Sequence, residues 1–226
     1  MFGLRGKPLS DQYFAPLTDD FTAKGTAEIG DADTGQAWFH ATGTAWTPTN
    51  TSRLSIINGK LTNTTVEVAN RAGYVTANLG ANVKKIGGSF VFAAGTGATH
   101  TGTAVFIIWK ELLGKLSYIP NACCHFYITD VGWTFQVIEN QVGATLASGS
   151  FDTPLTCDGA TVYSANVEIV DTTATITLPD GNTATATDAR IASLAGTYAC
   201  FEVSQQAANT DPKAGFTAVY ADVTVS

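Results

Sequence analysis

Polar and apolar residues alternate along most of this chain with the period of a strand, and almost nowhere with the period of a helix. Thr173-Ala174-Thr175-Ile176-Thr177-Leu178 and Thr183-Ala184-Thr185-Ala186-Thr187 are the plainest runs. A period of two sends successive side chains to opposite faces, so each run predicts a half-buried strand. Pro179-Asp180-Gly181-Asn182 lies between them. Proline presets φ at the first turn position and glycine supplies a positive φ, so the stretch predicts a hairpin. Asp188 then stands as an N-cap before Ala189–Leu194, with Gly196 as the stop, which predicts one short helix.

The same reading predicts strands over residues 36–40, 54–61, 72–79, 85–92, 103–109, 116–118, 144–151, 160–170 and 215–225. Asn58-Gly59 makes a hairpin of the second of these. Asp130-Val131-Gly132 joins His125–Thr129 to Trp133–Ile138 in another. Strands recurring every 8–12 residues or so, with turn signals between them, predict an all-β, two-sheet antiparallel sandwich. Residues 1–17 carry neither period. Phe2, Leu4, Arg5, Leu9, Tyr13 and Phe14 are set there among Gly and Pro. They predict an extended N-terminal arm over residues 1–17, packed along its own domain or clasped as an anchor by a neighbouring subunit, ahead of a single sandwich domain over residues 18–226.

Composition narrows the function. A net charge of −7 opposes nucleic-acid binding, which needs a basic face to neutralise phosphates. The longest apolar run, Val105-Phe106-Ile107-Ile108-Trp109, is strand-sized, so no membrane insertion is expected. Met1–Pro8 lacks the apolar stretch of a signal peptide, so the expectation is synthesis in the cytoplasm without export. Cys123, Cys124, Cys157 and Cys200 have no Cys-x-x-Cys spacing and read as buried reduced thiols.

Candidate chemistry is sparse. A sandwich glucanase sets carboxylates at alternate strand positions so that they share one face of a cleft. Glu168 and Asp171 are three residues apart, while Glu67, Glu139 and Glu202 stand alone. His125 beside Cys124 is the one suggestive nucleophile pair, but neighbours in a strand face opposite ways. Asp31 and Asp33 could offer oxygens to Ca²⁺; an Asx-type turn is the competing reading. Trp38, Trp46, Trp109 and Trp133 fall in apolar patterns and are assigned to the core. Tyr118 and Tyr163 are left as candidate platforms for a sugar ring. The expectation is a protein that is not an enzyme.

Two groups of motifs resemble a known family. Asp19-Asp20-Phe21, Asp31-Ala32-Asp33-Thr34-Gly35-Gln36-Ala37-Trp38 and Gly43-Thr44-Ala45-Trp46 resemble the start of concanavalin A-like (laminin G-like) jelly-roll domains in phage structural proteins. His125 with Gly132-Trp133, Gly149–Leu155, Thr177–Gly181, Thr187–Gly196 and Phe216–Asp222 are similar to minor tail proteins of actinobacteriophages. The resemblance implies a virion protein displaying a lectin-like sandwich that contributes to host surface binding. It also implies other virion proteins as partners of the arm, threefold self-association and a host cell-wall glycan as a ligand. A capsid decoration protein, a carbohydrate-binding module and, last, a glycoside hydrolase are the alternatives.

Overall fold

The computed structural model describes residues 16–24, 29–42, 54–63, 71–93, 103–110, 122–205 and 215–223. Among the described residues fifteen strands and one helix follow in chain order. They are β1 (Leu17–Asp19), β2 (Phe39–Thr42), β3 (Leu54–Ile57), β4 (Lys60–Asn63), β5 (Arg71–Asn78), β6 (Val83–Val91), β7 (Thr103–Trp109) and β8 (Ala122–Ile128). β9 (Gly132–Glu139), β10 (Val142–Ser150), β11 (Tyr163–Val170), β12 (Thr173–Thr177), β13 (Thr183–Thr187), α1 (Ala189–Leu194), β14 (Tyr198–Gln205) and β15 (Gly215–Val223) complete the set.

The strands form two antiparallel sheets. One is eight-stranded in the order β13-β12-β11-β6-β15-β4-β3, with β1 also paired to β15. The other is seven-stranded in the order β10-β9-β8-β7-β14-β5-β2. The sandwich expected from the alternating pattern is therefore present, and its inner faces meet in one apolar core. Phe106 lies at the centre of that core. Its ring stacks on Phe126 at 5.9 Å and meets Phe201 and Phe216 edge-on at 6.1 and 5.4 Å. Fully burying a side chain of this size stabilises by roughly 1.5–3 kcal/mol, and aromatic geometry adds roughly 0.5–1.5 kcal/mol per pair.

Turn chemistry follows the sequence at three positions. Asn58 and Gly59 both take positive φ (52° and 70°) between β3 and β4. Gly181 does so at 84° between β12 and β13. Asp188 caps α1, its Oδ1 accepting from the Arg190 N–H at 2.9 Å. The Arg190 guanidinium, which also donates to that carboxylate, holds its pKa down to about 2.

Elsewhere the structure departs from expectation. Gly196 does not end the helix with a left-handed turn; Ala195 is the C-cap, with φ −66°. Gly196 is instead a point of close approach. A Cβ there would stand 2.2 Å from both the Lys110 Cα and the Trp109 carbonyl oxygen. Leu17 is already in β1, so the sheet begins at the expected last residue of the arm, one residue before the expected start of the domain. Phe2, Leu4, Arg5, Leu9, Tyr13 and Phe14, and the strand expected over 116–118, lie outside the described residues.

The turn between β9 and β10 went unread because it contains no glycine. Asn140 and Gln141 both hold positive φ, 52° and 67°. A side chain in that region costs about 1 kcal/mol or more, least for Asn. Gln141→Gly is expected to raise folding stability by about 0.5–1 kcal/mol in urea denaturation. A loss of stability would show that the Gln141 side chain contributes more than its backbone costs.

Candidate functional site

The residues marked by sequence as candidate ligands or platforms do not come together. Asp31 forms an isolated bridge with Ala37, and its carbonyl accepts from Lys24 Nζ. Asp33 Oδ2 accepts from the Asp20 N–H at 2.9 Å. The 32–36 turn is closed by Ala32 N–H to the Gln36 carbonyl and Gly35 N–H to the Ala32 carbonyl, both 2.8 Å. Among the described residues no three His, Cys, Asp or Glu side chains converge as metal ligands. Tyr163 is half-buried rather than a free platform. Its hydroxyl accepts from the Thr156 N–H at 2.7 Å, and its ring lies against Phe90. Tyr118 and Trp46 lie outside the described residues.

Two of the motif residues are explained by structure. Asp19 is buried, with Oδ1 accepting from the Phe21 N–H at 2.9 Å and Oδ2 from Trp38 Nε1 at 2.8 Å. The Lys24 ammonium donates to the same Oδ2. Trp38 packs edge-on against Phe201 in the core. The acidic-Phe pair and the following Trp thus form a buried latch that fixes β1 and the 31–37 loop.

The chemistry that does converge is on the outer face of the seven-stranded sheet. Residues directly opposite one another in antiparallel strands share a face. One row across the sheet reads Tyr74, Glu202, Val105, Tyr127, Thr134. The next reads Thr76, Cys200, Ile107, His125, Gln136. These side chains point away from the sandwich core, yet Tyr74, Val105, Ile107, Trp109, Cys123, Ile138 and Cys200 are buried as a second apolar cluster. Trp109, assigned from sequence to the core, belongs to this outer cluster, where it meets Tyr74 edge-on at 6.0 Å. Trp38 and Trp133 are in the main core as expected.

Polar groups stand around that apolar floor. His125, Tyr127, Thr134, Gln136 and Glu202 are half-buried. Gln136 Nε2 is 3.3 Å from His125 Nδ1, and the His125 ring meets Tyr127 edge-on at 5.7 Å. His125 is thus held by sheet neighbours, as expected for a histidine in a strand. Burial lowers its pKa to about 4, so the ring is neutral near pH 7. Burial also raises the Glu202 carboxyl to about 7. Among the described residues none donates a hydrogen bond to that carboxylate. It stands between Tyr74 on one neighbouring strand and Val105 on the other, with Tyr127 two strands away, about 10 Å at the usual strand spacing.

Sequence reasoning left Glu202 isolated because its neighbours come from β5 and β7, far away in the chain. One signal was available. Val105–Trp109 is apolar at every position, and a strand without alternation is one buried on both faces.

The cysteines divide by position. All four are free thiols; Cys123, Cys124 and Cys200 are buried, and Cys157 is half-buried rather than buried. Burial pushes Cys124 up to about 12 and raises Cys123 and Cys200 strongly. A thiol reacts as its thiolate. Native protein at pH 8 is expected to take one maleimide, at Cys157, and four after unfolding in denaturant, read by intact mass. Two or more adducts on the native protein would contradict the burial of the outer cluster.

With the sheets and this face in place, the class of protein is clear: the chain is a concanavalin A-like jelly-roll sandwich. Solved structures of the same fold include the laminarinase from Rhodothermus marinus, with TM-score 0.60 and 10% identity over 92% of this chain and 96% of that one. The Ca²⁺/Man-bound exoplasmic/lumenal domain of VIP36 gives 0.60 and 10% over 94% and 91%. The CBM2 module of evolved Dit from Lactobacillus casei BL23 phage J-1 gives 0.52 and 14% over 76% and 81%. No protein-family model matches the chain, and no curated protein matches it.

Proposed function

We propose that the protein is a non-enzymatic glycan-recognition subunit of a phage virion. The observation that carries the glycan part is the row Tyr74–Glu202–Val105–Tyr127 on the outer face of the seven-stranded sheet. Sugar sites combine aromatic rings with a few polar groups able to hold hydroxyls, and this face offers Tyr127, Glu202, His125 and Gln136 at half-buried positions. A laminarinase, a Man-bound VIP36 domain and a CBM2 module of a phage protein, all of this fold, are in keeping with the reading. Binding without hydrolysis is favoured because glycosidases place two carboxyl groups about 5–9.5 Å apart. Glu202 is the one acid on this face among the described residues.

The virion part rests on the motif resemblance to actinobacteriophage minor tail proteins, with the arm over residues 1–17 as the anchor. Two measurements test the reading. Titration with cell-wall arabinogalactan fragments, followed by amide chemical shifts, is expected to perturb residues around Tyr127 and Gln136. No binding at millimolar glycan would end the glycan part. Cross-linking of purified particles is expected to join residues 1–17 to a neighbouring virion subunit, and absence of the chain from particles would end the virion part.

A further inference from the structure

We propose that the outer face of the eight-stranded sheet binds a neutral, linear oligosaccharide, with Tyr220 as the platform on which a sugar ring stacks. This face is on the opposite side of the sandwich from Tyr127 and Gln136, so the proposal goes beyond the reading above and adds a second site.

One row across the sheet reads Thr18, Tyr220, Gly87, Asn166, Thr177, Thr183. The next row carries Asp222, Lys85 and Glu168. Val219, Ala221, Ile86 and Val167 alternate with these positions and lie in the core, so both rows face outwards. The face is open. Thr18 and Thr183 are exposed, and Tyr220, Asn166 and Thr177 are half-buried. The Lys85–Glu168 ion pair, 3.2 Å apart, keeps 30% and 46% of its side chains exposed. Six strands at the usual spacing make the first row about 24 Å long.

Tyr220 does not stand up from this face but lies down on it. Gly87 is its direct cross-strand partner, and a Cβ at Gly87 would fall 2.6 Å from the Tyr220 Oη and 2.7 Å from its Cζ. The missing side chain is what lets the phenol cross β6. Its hydroxyl reaches towards Asn166, whose Cβ is 2.6 Å from the same point. Covering a strand glycine with a ring is a packing device. It also turns the other side of the ring to solvent, level with hydrogen-bonding groups on three strands. The Asp222 and Glu168 carboxylates accept, Lys85 donates, and the Asn166 amide does both. Burial raises the pKa of the Tyr220 hydroxyl, Lys85 lowers it, and Asp222 and Glu168 raise it. All three charges therefore act at the ring, and its hydroxyl stays a donor near pH 7.

A sugar ring has an apolar C–H face that stacks on an aromatic and a rim of hydroxyls that both donate and accept. This face meets both needs at one place. An open row takes a chain laid across it, rather than a single ring enclosed in a pocket. Beyond Tyr220 the row continues through Asn166, Thr177 and Thr183, whose amide and hydroxyls serve further sugar units. Two carboxylates stand here against one ammonium, in a protein of net charge −7. That field repels a uronate or a phosphate and leaves a neutral chain as the ligand.

The test titrates the full chain at pH 7 with cellohexaose, laminarihexaose, their disaccharides and hexagalacturonate, read by amide chemical shifts. At least one neutral hexasaccharide is expected to shift residues around Tyr220, Gly87, Asn166 and Thr177. It should bind about tenfold or more tighter than its disaccharide or hexagalacturonate. Tyr220→Ala should abolish those shifts, and Tyr220→Phe, which keeps the ring, should retain most of the affinity. Asp222→Asn leaves Tyr220 on Gly87 and keeps the fold intact, and it should still weaken binding. Absence of shifts at this face with both neutral hexasaccharides overturns the proposal. Shifts centred on Tyr127 and Gln136 instead overturn it too, and leave the glycan reading above standing. Hexagalacturonate binding as tightly overturns the choice of a neutral chain. Unchanged binding in folded Tyr220→Ala and in Asp222→Asn would show that the ring only covers its glycine.

Discussion

Between pH 4.5 and 6.5 the protein is expected to keep a nearly level folding stability, and two single substitutions are expected to tilt it in opposite directions. Glu202 has a folded pKa of about 7 against an ordinary value of 4.5. The folded state therefore holds that proton more tightly than the unfolded chain. Its contribution is fully present below pH 4.5 and is lost as pH rises towards 7. His125 has a folded pKa of about 4 against 6.5. The unfolded chain holds that proton more tightly, so its contribution is present above pH 6.5 and is lost as pH falls towards 4. At about 1.4 kcal/mol per pH unit each effect is on the order of 3.5 kcal/mol, and over the shared window they offset. Asp158 and Asp188, held down to about 2, act below this window.

Glu202→Gln leaves the histidine term exposed, and urea stability should climb from pH 4 to 6.5. His125→Gln leaves the carboxyl term, and stability should fall from pH 4.5 to 7. Cys123 and Cys200, whose thiols burial raises, face the same region and do not titrate in this range. Wild-type-like flat profiles in both variants would show that neither group is desolvated in solution.

The second large effect falls on Asp19. Its carboxylate holds the Phe21 N–H, the Trp38 indole N–H and the Lys24 ammonium, all in a site closed to water. Asp19→Ala deletes one side chain, strands two N–H donors and leaves the Lys24 ammonium with the Asp31 carbonyl but no counter-charge. Breaking a buried pair from one side typically costs 3–5 kcal/mol, and we expect about that loss here. Asp19→Asn keeps the shape and one acceptor and should fall between. The readout is the urea midpoint together with tryptophan fluorescence, since Trp38 would lose its partner. A change under about 1 kcal/mol would mean that water replaces the carboxylate and the latch is open.

Much of the fold was legible because its cues are local. The Thr-Ala-Thr alternation, the Pro-Asp-Gly-Asn turn and the Asp188 cap each act within a few residues, and each appears where its own chemistry places it. Trp38 was assigned to the core from its apolar surroundings, but the carboxylate that anchors it is 19 positions away, beyond any periodicity. The candidate site was not legible for the same reason. Tyr74, Glu202 and Val105 become neighbours only through the order β5-β14-β7, which no window of sequence contains. Gly196 was read as a stop because glycine usually serves that purpose after a helix. Its true constraint is the backbone of residues 109 and 110 passing against it.

β15 is the last of the described strands in chain order and lies inside its sheet. It pairs with β6 on one side and with β4 and β1 on the other. During synthesis, β1, β3 and β4 therefore leave the ribosome long before the strand that joins them to β6 exists. Until residues 215–223 emerge, the sheet has a gap at its centre, and the apolar side chains of Leu17, Ile56 and Leu61 have no completed face to cover. Pairings this distant in sequence close slowly. The nascent chain should thus depend on chaperones until β15 is released, and a stop codon before residue 215 should leave a product that aggregates rather than a smaller sandwich.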